Sequence, residues 1–501
     1  MSGSLHPVHA RRLHLLTQDE AIVLMRSDCP ICRSEGLAAR ARVLLRANGH
    51  EVVATLYQIE SDLLASDEAG LSEAAWRRLA IADRDPIHVT QAPSLDSLAE
   101  VRRRIYGGRL GAAALGEIIK DVVAGRYADV HLSAFLTACS AFPLDVSEIT
   151  HLTRAMVETG EQLTWNTSVV SDKHCVGGLP GNRTSPIVVA IAASCGLTMP
   201  KTSSRAITSP SGTADTMETL APVDLDVAAM RRVVEREGGC IAWGGAMHLS
   251  PADDALIRIE RALDIDTEGQ LIASVLSKKV AAGATHVVFD IPIGPTAKVR
   301  TAEAAREISS HMETVAQAFE LKTRFLFTDG AQPVGRGIGP ALEARDVLDV
   351  LQGAPAAPAD LRARAIEVAG AVLELADVTH PGEGQGAARA VLDDGRAWQK
   401  FQRICEAQGG MRKPPLAPLQ QPLPAPRTGI LTHINNRKLS RLAKLAGAPD
   451  DKAAGVELCA RLGDTVTATQ PLVVVHAEAR GELAYALAYA QANADMFEIE
   501  T

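Results

Sequence analysis

A glycine-rich segment that carries one lysine is the clearest place in this 501-residue chain where residue types and spacing suggest chemistry. The segment spans residues 171–185 and lies between a β-like stretch and an apolar helical run. The start of a helix favours an anion, because unpaired backbone N–H groups and the positive end of the helix dipole point at it. Lys173 adds a full positive charge there. The segment predicts a phosphate site, although considered alone it fits a plain turn equally well.

A second polar segment, residues 201–218, favours the phosphate interpretation. It combines many hydroxyl side chains with Lys201 and Arg205, which is more than a solvated loop needs. Hydroxyls and a guanidinium can hold phosphate or ribose oxygens in fixed directions. The chain has no GxxxxGK[ST] motif, so a P-loop nucleotide hydrolase is excluded.

Together the two segments resemble the thymidine and pyrimidine-nucleoside phosphorylase family, and within it the AMP phosphorylase branch. The family is matched by Lys173-His174 with Gly177-Gly178, and by Ser203-Ser204-Arg205 followed by Gly212-Thr213, Asp215 and Glu218. The AMP branch is matched by shorter segments: 180–182, 204–209, 243–246, 251–254, 268–274, 277–279, 332–335 and 338–343. The resemblance covers most of the chain from about Ser94 onward.

The resemblance implies a role for each matched residue. Asp266 is implied as the proton donor to the leaving base, and His174 lies where the family has a histidine beside the base. The implied phosphate ligands are Lys173, Ser185, Ser203 and Thr213. The implied contacts to the nucleoside or nucleotide are Gly178, Ser204, Arg205, Ala206, Ile207, Thr208, Ser209, Thr213, Ser274, Lys278 and Lys298.

Ordinary structural interpretations stand beside these roles. A histidine such as His174 often has a purely structural imidazole, and an aspartate such as Asp266 often caps a helix or lies on the surface. Without the resemblance, the surface or capping interpretation is favoured for Asp266. Ser274 and Lys278 are four residues apart, which places both on one helix face, but a solvated Lys278 fits the same spacing.

Two positions depart from the family pattern. Cys175 stands where the family usually has serine, and a thiol is a weaker hydrogen-bond donor than a hydroxyl. Pro210-Ser211 replace the threonine or alanine and small residue expected before Gly212. The phosphate role is therefore assigned to the neighbouring residues and not to Cys175.

The activity that the resemblance implies is phosphorolysis by a pentosyltransferase. Inorganic phosphate, as co-substrate, would attack C1′ of a pyrimidine nucleoside or a nucleoside 5′-monophosphate, and the sequence leaves these two substrates open. The products would be a free base and a (deoxy)ribose 1-phosphate or ribose 1,5-bisphosphate. No cofactor and no metal are expected. The alternatives are a catalytically silent nucleotide sensor and a magnesium-dependent phosphoribosyltransferase; the chain lacks the GTGGD-type loop of the latter.

Composition limits the partners to small molecules. The net charge of −9 argues against nucleic acid or an anionic membrane as the main partner. No apolar run reaches transmembrane length and the N-terminus lacks a signal-peptide core, so a cytoplasmic location is expected. In the family a helical unit is the usual dimer contact, so the resemblance implies a homodimer or a higher homo-oligomer.

One cysteine pair stands apart from the other six cysteines of the chain, which are expected to be reduced thiols. Cys29 and Cys32 form a CxxC motif. Such a motif binds zinc with further ligands or forms a redox pair, but no second CxxC or HxxxH lies nearby to complete a tetrahedral site. An ordinary buried turn is therefore favoured over a metal or redox role.

The pattern of apolar residues predicts a multidomain α/β protein. An all-helical domain and a large mixed-sheet α/β domain, as in type II nucleoside phosphorylases, are flanked by a small β-rich domain and a small α+β domain. The predicted boundaries are 1–92 for the β-rich domain, 93–163 with 250–282 for the helical domain, 164–249 with 283–412 for the α/β domain, 413–427 for a proline-rich linker and 428–501 for the C-terminal domain.

Overall fold

The computed structural model describes residues 7–206, 209–265 and 267–501. The strands are β1 Val8–Leu15, β2 Ile22–Arg26, β3 Arg42–Ala47, β4 His50–Ile59, β5 Glu68–Ser72, β6 Pro86–Gln91, β7 Ser171–Cys175, β8 Met199–Ser203, β9 Gly239–Trp243, β10 His286–Ile293, β11 Lys322–Asp329, β12 Gly337–Ile338, β13 Leu419–Pro424, β14 Gly429–Ile434, β15 Gly455–Leu458, β16 Thr465–Val466, β17 Pro471–Ala477 and β18 Phe497–Glu500.

The helices are α1 Pro30–Ser34, α2 Glu73–Leu79, α3 Ser97–Ile105, α4 Ala112–Val123, α5 Asp129–Ala141, α6 Val146–Glu158, α7 Ser185–Ser194, α8 Thr213–Glu218, α9 Val227–Glu237, α10 Pro251–Leu263, α11 Glu268–Ala281, α12 Ala302–Gln317, α13 Pro340–Leu351, α14 Ala359–Leu375, α15 Gly384–Asp393, α16 Arg396–Ala407, α17 Asn436–Leu445 and α18 Arg480–Ala492. The chain divides into two compact units. The first extends to Pro143 and includes Arg258–Ile265; the second comprises Leu144–Ile257 and the residues after 266.

The first unit begins with a closed β-barrel of strand order β1-β5-β2-β4-β3-β6. Strands β3 and β4 form an antiparallel hairpin whose two turn residues, Asn48 and Gly49, both have positive φ, as a two-residue hairpin turn requires. Apolar side chains from the strands fill the barrel, so the predicted β-rich N-terminal part is confirmed. Helices α3 to α5 follow, and Arg42 of β3 donates a hydrogen bond to the carbonyl of Gly125 after α4, at 3.0 Å.

The centre of the second unit is built from parallel strands. One sheet has the order β11-β10-β7, and a second pairs β8 with β9. A parallel bridge between Val170 and Thr198 links the two sheets just before β7 and β8. Helix α7 is apolar on all sides, and each residue from Ser185 to Ala193 is buried. The predicted α/β core is therefore confirmed, and the pairing within these two sheets is parallel.

Helix α6 lies in the second compact unit. It packs on α11, because Ile149 of α6 shares a buried cluster with Ile272, Val275 and Leu276 of α11. The division between the compact units thus falls before α6.

The C-terminal part combines two small sheets, of order β12-β15-β17-β13 and β16-β14-β18, with α17 and α18. The segment predicted as a linker contains strand β13, which pairs antiparallel with β17. Proline lacks a backbone N–H and is tolerated on edge strands, and β13, with Pro422 and Pro424, is the edge strand of its sheet. Throughout the described ranges, no helix is both long enough and apolar enough to cross a membrane.

Candidate functional site

The two polar segments that the sequence singled out follow the carboxyl ends of neighbouring strands. Residues 176–184 follow β7 and residues 204–212 follow β8. The loops after β9 and β10 lie at the same edge, because these strands are parallel to β8 and β7 respectively. Open α/β sheets bind their ligands at the carboxyl ends of the strands. The candidate site is therefore this edge of the parallel sheets.

The first segment brings together two of the four residues predicted to bind phosphate. Lys173 lies on β7 and is 1% exposed, and its Nζ atom donates to Oγ of Ser185 at 3.2 Å. Ser185 is the first residue of α7. A buried ammonium group and a hydroxyl at a helix start are donors that an anion can use together. The predicted strand, glycine loop and helix start are all present.

Glycines allow this segment to lie close to the strands. A Cβ atom at Gly177 would lie 2.9 Å from Cδ of Pro292, and one at Gly181 would lie 2.6 Å from Sγ of Cys175. Gly178 has a φ of +65°, in the left-handed region that favours glycine. A side chain at Gly177 or Gly181 would push the loop away from the strand ends, and one at Gly178 would strain the backbone.

A buried cluster of charges lies directly behind the loop. The carboxylate of Asp172, on β7, accepts hydrogen bonds from Nζ of Lys279 at 2.6 Å and from the backbone N–H of Lys173 at 2.6 Å. Nζ of Lys201 lies 3.5 Å from the same carboxylate. Burial would raise the pKa of Asp172, but the charges of Lys201 and Lys279 lower it. Two buried lysines, Lys201 and Lys279, thus share the carboxylate of Asp172, while the buried ammonium group of Lys173 contacts Ser185. The three lysines and one carboxylate leave the site with an excess of positive charge.

His174 lies next to this cluster and is neutral at physiological pH. Its pKa is held well below the usual range by burial and by the positive charges of four lysines, which are Lys279, Lys201, Lys278 and Lys173. A neutral imidazole can donate one ring hydrogen bond and accept another, but it is not a reservoir of protons.

Arg205 in the second segment holds the loop to its neighbours. Its guanidinium makes two hydrogen bonds to Glu218, at 2.7 and 2.9 Å, and further contacts to Asp215 and Asp224. The same group lies over the ring of Trp243, 4.8 Å from its centroid. The hydrogen bond from Arg205 lowers the pKa of Glu218 to about 2. The guanidinium of Arg205 is therefore bound by side chains of the protein, chiefly Glu218 and Trp243.

Asp215 closes the second loop on itself. Its Oδ2 atom accepts the backbone N–H groups of Ala206 at 2.7 Å and Gly212 at 2.9 Å, on the two sides of the loop. Lys452 of the C-terminal part contributes a further charge, with Nζ 2.9 Å from Glu218 and 3.7 Å from Asp215. The shape of the second loop thus depends on a residue far along the chain.

The remaining predicted residues of this segment lie along it or outside the described residues. Ser203 ends β8, and its hydroxyl donates to the carbonyl of Ser204 at 3.3 Å. Thr213 begins α8, and Ser209 donates to the carbonyl of Ser211 at 2.9 Å. Residues lying outside the described ranges are Ile207, Thr208 and the predicted proton donor Asp266.

Ser274 and Lys278 both lie on α11, as the spacing predicted. Nζ of Lys278 donates to Oδ2 of Asp253 at 2.6 Å, and Asp253 is buried. Lys278 is thus not a solvated lysine, and its charge acts on His174. Lys298 lies in the loop after β10 and is exposed.

The position where the sequence departs from the family pattern carries a neutral thiol. Burial and the nearby carboxylate of Asp290 raise the pKa of Cys175 to about 12. Among the described residues, no group of three His, Cys, Asp or Glu side chains is arranged to hold a metal ion.

Sequence reasoning assigned no role to Asp172, Lys201 or Lys279, which the structure places at the centre of the charged cluster. The sequence contains one signal that Lys279 is buried. Lys279 falls seven residues after Ile272 and four after Val275, which is the spacing of the buried face of α11. A lysine in a core position of a helix needs a buried partner, and here that partner is Asp172.

Three domain models match the chain and define its class. Residues 99–160 match the helical bundle domain of a glycosyl transferase family, and residues 167–398 match the a/b domain of that family. Residues 430–496 match the pyrimidine nucleoside phosphorylase C-terminal domain. These three matches define the class of the protein, which is a glycosyltransferase of the nucleoside phosphorylase type.

Relatives that match along nearly the whole chain place the protein in one family within this class. The chain is 63% identical over 494 residues to a protein of Chelativorans sp. (strain BNC1) named "Putative thymidine phosphorylase", with 98% of this chain and 97% of the relative covered. A protein of the same name from Tolumonas auensis is 62% identical over 504 residues, with 100% of both chains covered. The chain belongs to the thymidine and pyrimidine-nucleoside phosphorylase family, whose members are pentosyltransferases.

A solved structure shows the same fold. The crystal structure of anthranilate phosphoribosyltransferase from Thermus thermophilus matches with a TM-score of 0.52 at 23% identity. The match covers 62% of this chain and 98% of that chain. The predicted combination of helical and α/β domains is confirmed at the level of the fold.

Proposed function

We propose that this protein cleaves the N-glycosidic bond of a nucleoside with inorganic phosphate, releasing a free base and a pentose 1-phosphate. The observation that carries the proposal is the buried contact between Lys173 and Ser185 at the start of α7, beside an excess of buried positive charge. A doubly charged phosphate would balance that charge. Charge-assisted hydrogen bonds contribute roughly 1.5–3 kcal/mol each, so these donors would dominate phosphate binding.

In the proposed mechanism the protein orients the phosphate and assists the leaving base. Lys173, Ser185, Ser203 and Thr213 hold phosphate oxygens so that one oxygen faces C1′ of the sugar. Ser274 and Lys278 contact the base edge. Inorganic phosphate is the co-substrate, and the mechanism calls for no organic cofactor and no metal.

Protonation of the leaving base is assigned to Asp266 because His174 is poorly suited to it. A histidine whose pKa lies well below the usual range carries almost no proton to give at neutral pH. We propose that the neutral imidazole of His174 makes one hydrogen bond with the base. The assignment of Asp266 rests on its match to the family pattern.

Replacing His174 by glutamine is expected to lower kcat/KM by up to about tenfold, the value of one neutral hydrogen bond. The shape of the pH profile between about pH 6 and pH 8 should stay the same, because His174 is already neutral throughout that range. Steady-state kinetics of both proteins across this range provide the check. A step near pH 6.5 in the wild type that is missing in the variant would contradict the neutral role.

The substrate is proposed to be thymidine or a related pyrimidine nucleoside, in line with the names of the relatives. A nucleoside 5′-monophosphate is the second candidate. It is favoured by the match of residues 204–209 to the AMP phosphorylase branch and by Lys298, whose exposed side chain follows β10 and is a suitable partner for a 5′-phosphate.

The test is base release from a panel of nucleosides and nucleoside monophosphates, followed by chromatography, with and without phosphate and with and without a chelator. We expect release that depends on phosphate and survives the chelator. The Lys173→Met variant serves as a negative control. Base release without phosphate, or none from any panel member, would contradict the proposal, and a strong preference for 5′-phosphorylated substrates would select the second candidate.

A further inference from the structure

A buried ion pair joins the end of the first loop, residues 176–184, to α13. Arg183 lies directly before α7 and is 1% exposed. Its Nη2 atom is 3.2 Å from Oε1 of Glu343, in the first turn of α13, and its Nη1 atom donates to the carbonyl of Val334. A buried charge that loses its partner is costly. The ion pair therefore holds the end of the first loop against α13.

The same carboxylate reaches the second loop, residues 204–212, through two hydroxyl groups. Oγ1 of Thr216, on α8, donates to Oε2 of Glu343 at 3.1 Å. The hydroxyl oxygens of Thr216 and Ser211 are 2.8 Å apart. All three side chains are buried, so water does not compete for these contacts. Ser211 belongs to the Pro210-Ser211 pair at which the sequence departs from the family pattern.

Ser211 lies where the two sides of the second loop meet. A Cβ atom at Gly212 would lie 2.6 Å from the carbonyl oxygen of Ser204 and 2.7 Å from the carbonyl carbon of Arg205. The backbone on the two sides of the loop is therefore in close contact at this point. Helix α8 follows at once and begins with Thr213. A shift of Ser211 would thus move both the loop and the start of α8.

We propose that Glu343 is a positioning residue that holds the two loops of the phosphate site at a fixed spacing. It acts through Arg183 on the first loop, and through Thr216 and Ser211 on the second. The four side chains form a continuous buried relay, and none of them is proposed to touch phosphate. The inference rests on the proposed function, in which one phosphate takes donors from both sides of the site.

The relay predicts different effects on the two substrates. Donors that are already in place bind an anion better than donors that must first be ordered. Phosphate would use donors beside both loops, so its binding depends on the spacing between them. Most of the proposed nucleoside contacts lie on the second loop and on α11. Breaking the relay should therefore weaken the binding of phosphate more than the binding of the nucleoside.

The test is hydrogen–deuterium exchange of the full-length protein with and without inorganic phosphate. Thr216→Val removes the middle of the relay and keeps the shape of the buried side chain. The matched control is Thr153→Val, at a buried threonine of α6 whose hydroxyl donates within its own helix at 2.8 Å. In the wild type and the control, phosphate should slow exchange in both loops. In Thr216→Val it should slow the first loop equally and the second about two- to tenfold less, the value of one neutral hydrogen bond.

Steady-state kinetics distinguish positioning from a general loss of structure. The KM for phosphate should rise by about two- to tenfold in Thr216→Val, while the KM for the nucleoside stays within about twofold of the wild type. Ser211→Ala should give a smaller change of the same kind, and it provides the same comparisons if Thr216→Val does not fold. The double variant should be no worse than Thr216→Val alone, because both substitutions break one relay.

The outcomes separate this inference from the proposed function. Phosphate that protects neither loop of the wild type would overturn both. A second loop that phosphate protects equally in Thr216→Val and in the wild type would overturn the relay alone. Equal rises of the two KM values would do the same, and so would effects of Thr216→Val and Ser211→Ala that multiply as those of independent sites do.

Discussion

Replacing Lys173 by methionine is expected to lower kcat/KM for phosphate by about 100- to 1000-fold, the usual effect of removing one preorganised donor from a site where charge develops. The methionine keeps the apolar stem that β7 buries and removes only the ammonium group. Ser185 then loses its 3.2 Å partner, and the excess positive charge of the site falls by one. Initial rates at varied phosphate concentration measure the effect.

The matched control for this variant is Lys120→Met, at an exposed lysine of α4 that is outside the site. This control should keep wild-type kinetics. Thermal unfolding of the Lys173→Met protein shows whether its fold is intact. A folded Lys173→Met enzyme with an unchanged phosphate dependence would remove the phosphate role of this residue, and with it the main support for the proposed reaction.

The second prediction concerns stability. Replacing Asp172 by asparagine should lower the free energy of unfolding by about 3–5 kcal/mol, the usual cost of removing one partner of a buried ion pair. Lys201 and Lys279 would keep their positions but lose the carboxylate that compensates both. Urea denaturation measures the change. Glu303→Gln, which removes an exposed surface pair with Arg306, is the control and should leave the free energy of unfolding nearly unchanged.

The pH dependence of this loss distinguishes its cause. Burial and the neighbouring lysines already lower the pKa of Lys201 below its ordinary value, and the asparagine would lower it further, because Asp172 opposes the shift. A lysine whose pKa is lower in the folded state makes the unfolded state bind more protons, so stability rises with pH. Well above about pH 7, the pKa of Lys201 in the folded wild-type protein, Lys201 is neutral in both folded proteins. The deficit of Asp172→Asn should therefore shrink as the pH rises towards about 7 and level off above it. A deficit that is the same well below pH 7 and above it would indicate lost packing instead of unpaired charge.

The sequence allowed the phosphate segment to be predicted because its signal is local. Lys173 and Ser185 are close in the chain, and a strand, a glycine loop and a helix start fix their geometry. The charged cluster behind them could not be predicted in the same way. Asp172 and Lys279 are 107 residues apart, and only the packing of α11 on the sheet brings their side chains together.

Two further differences have physical reasons. The segment 413–427 was interpreted as a linker because of its prolines, but a strand at the edge of a sheet tolerates residues without a backbone N–H. Arg205 was selected as a ligand because of its type, and the structure shows that its guanidinium is bound to Glu218 and Trp243. The residue type alone does not distinguish a group that contacts a substrate from one that shapes the loop.

Lys452 limits how far this protein can be divided into independent modules. The C-terminal part is recognised as a domain of its own, but its Lys452 contacts Glu218 and Asp215, the two carboxylates that hold the second loop. A fragment that ends before this domain would retain every residue of the first polar segment, 171–185. The second polar segment, 201–218, would lose its ion pairs with Lys452. Relatives of this enzyme that lack the C-terminal domain would therefore need another cation at the same place, and chimeras that exchange the domain should preserve this lysine.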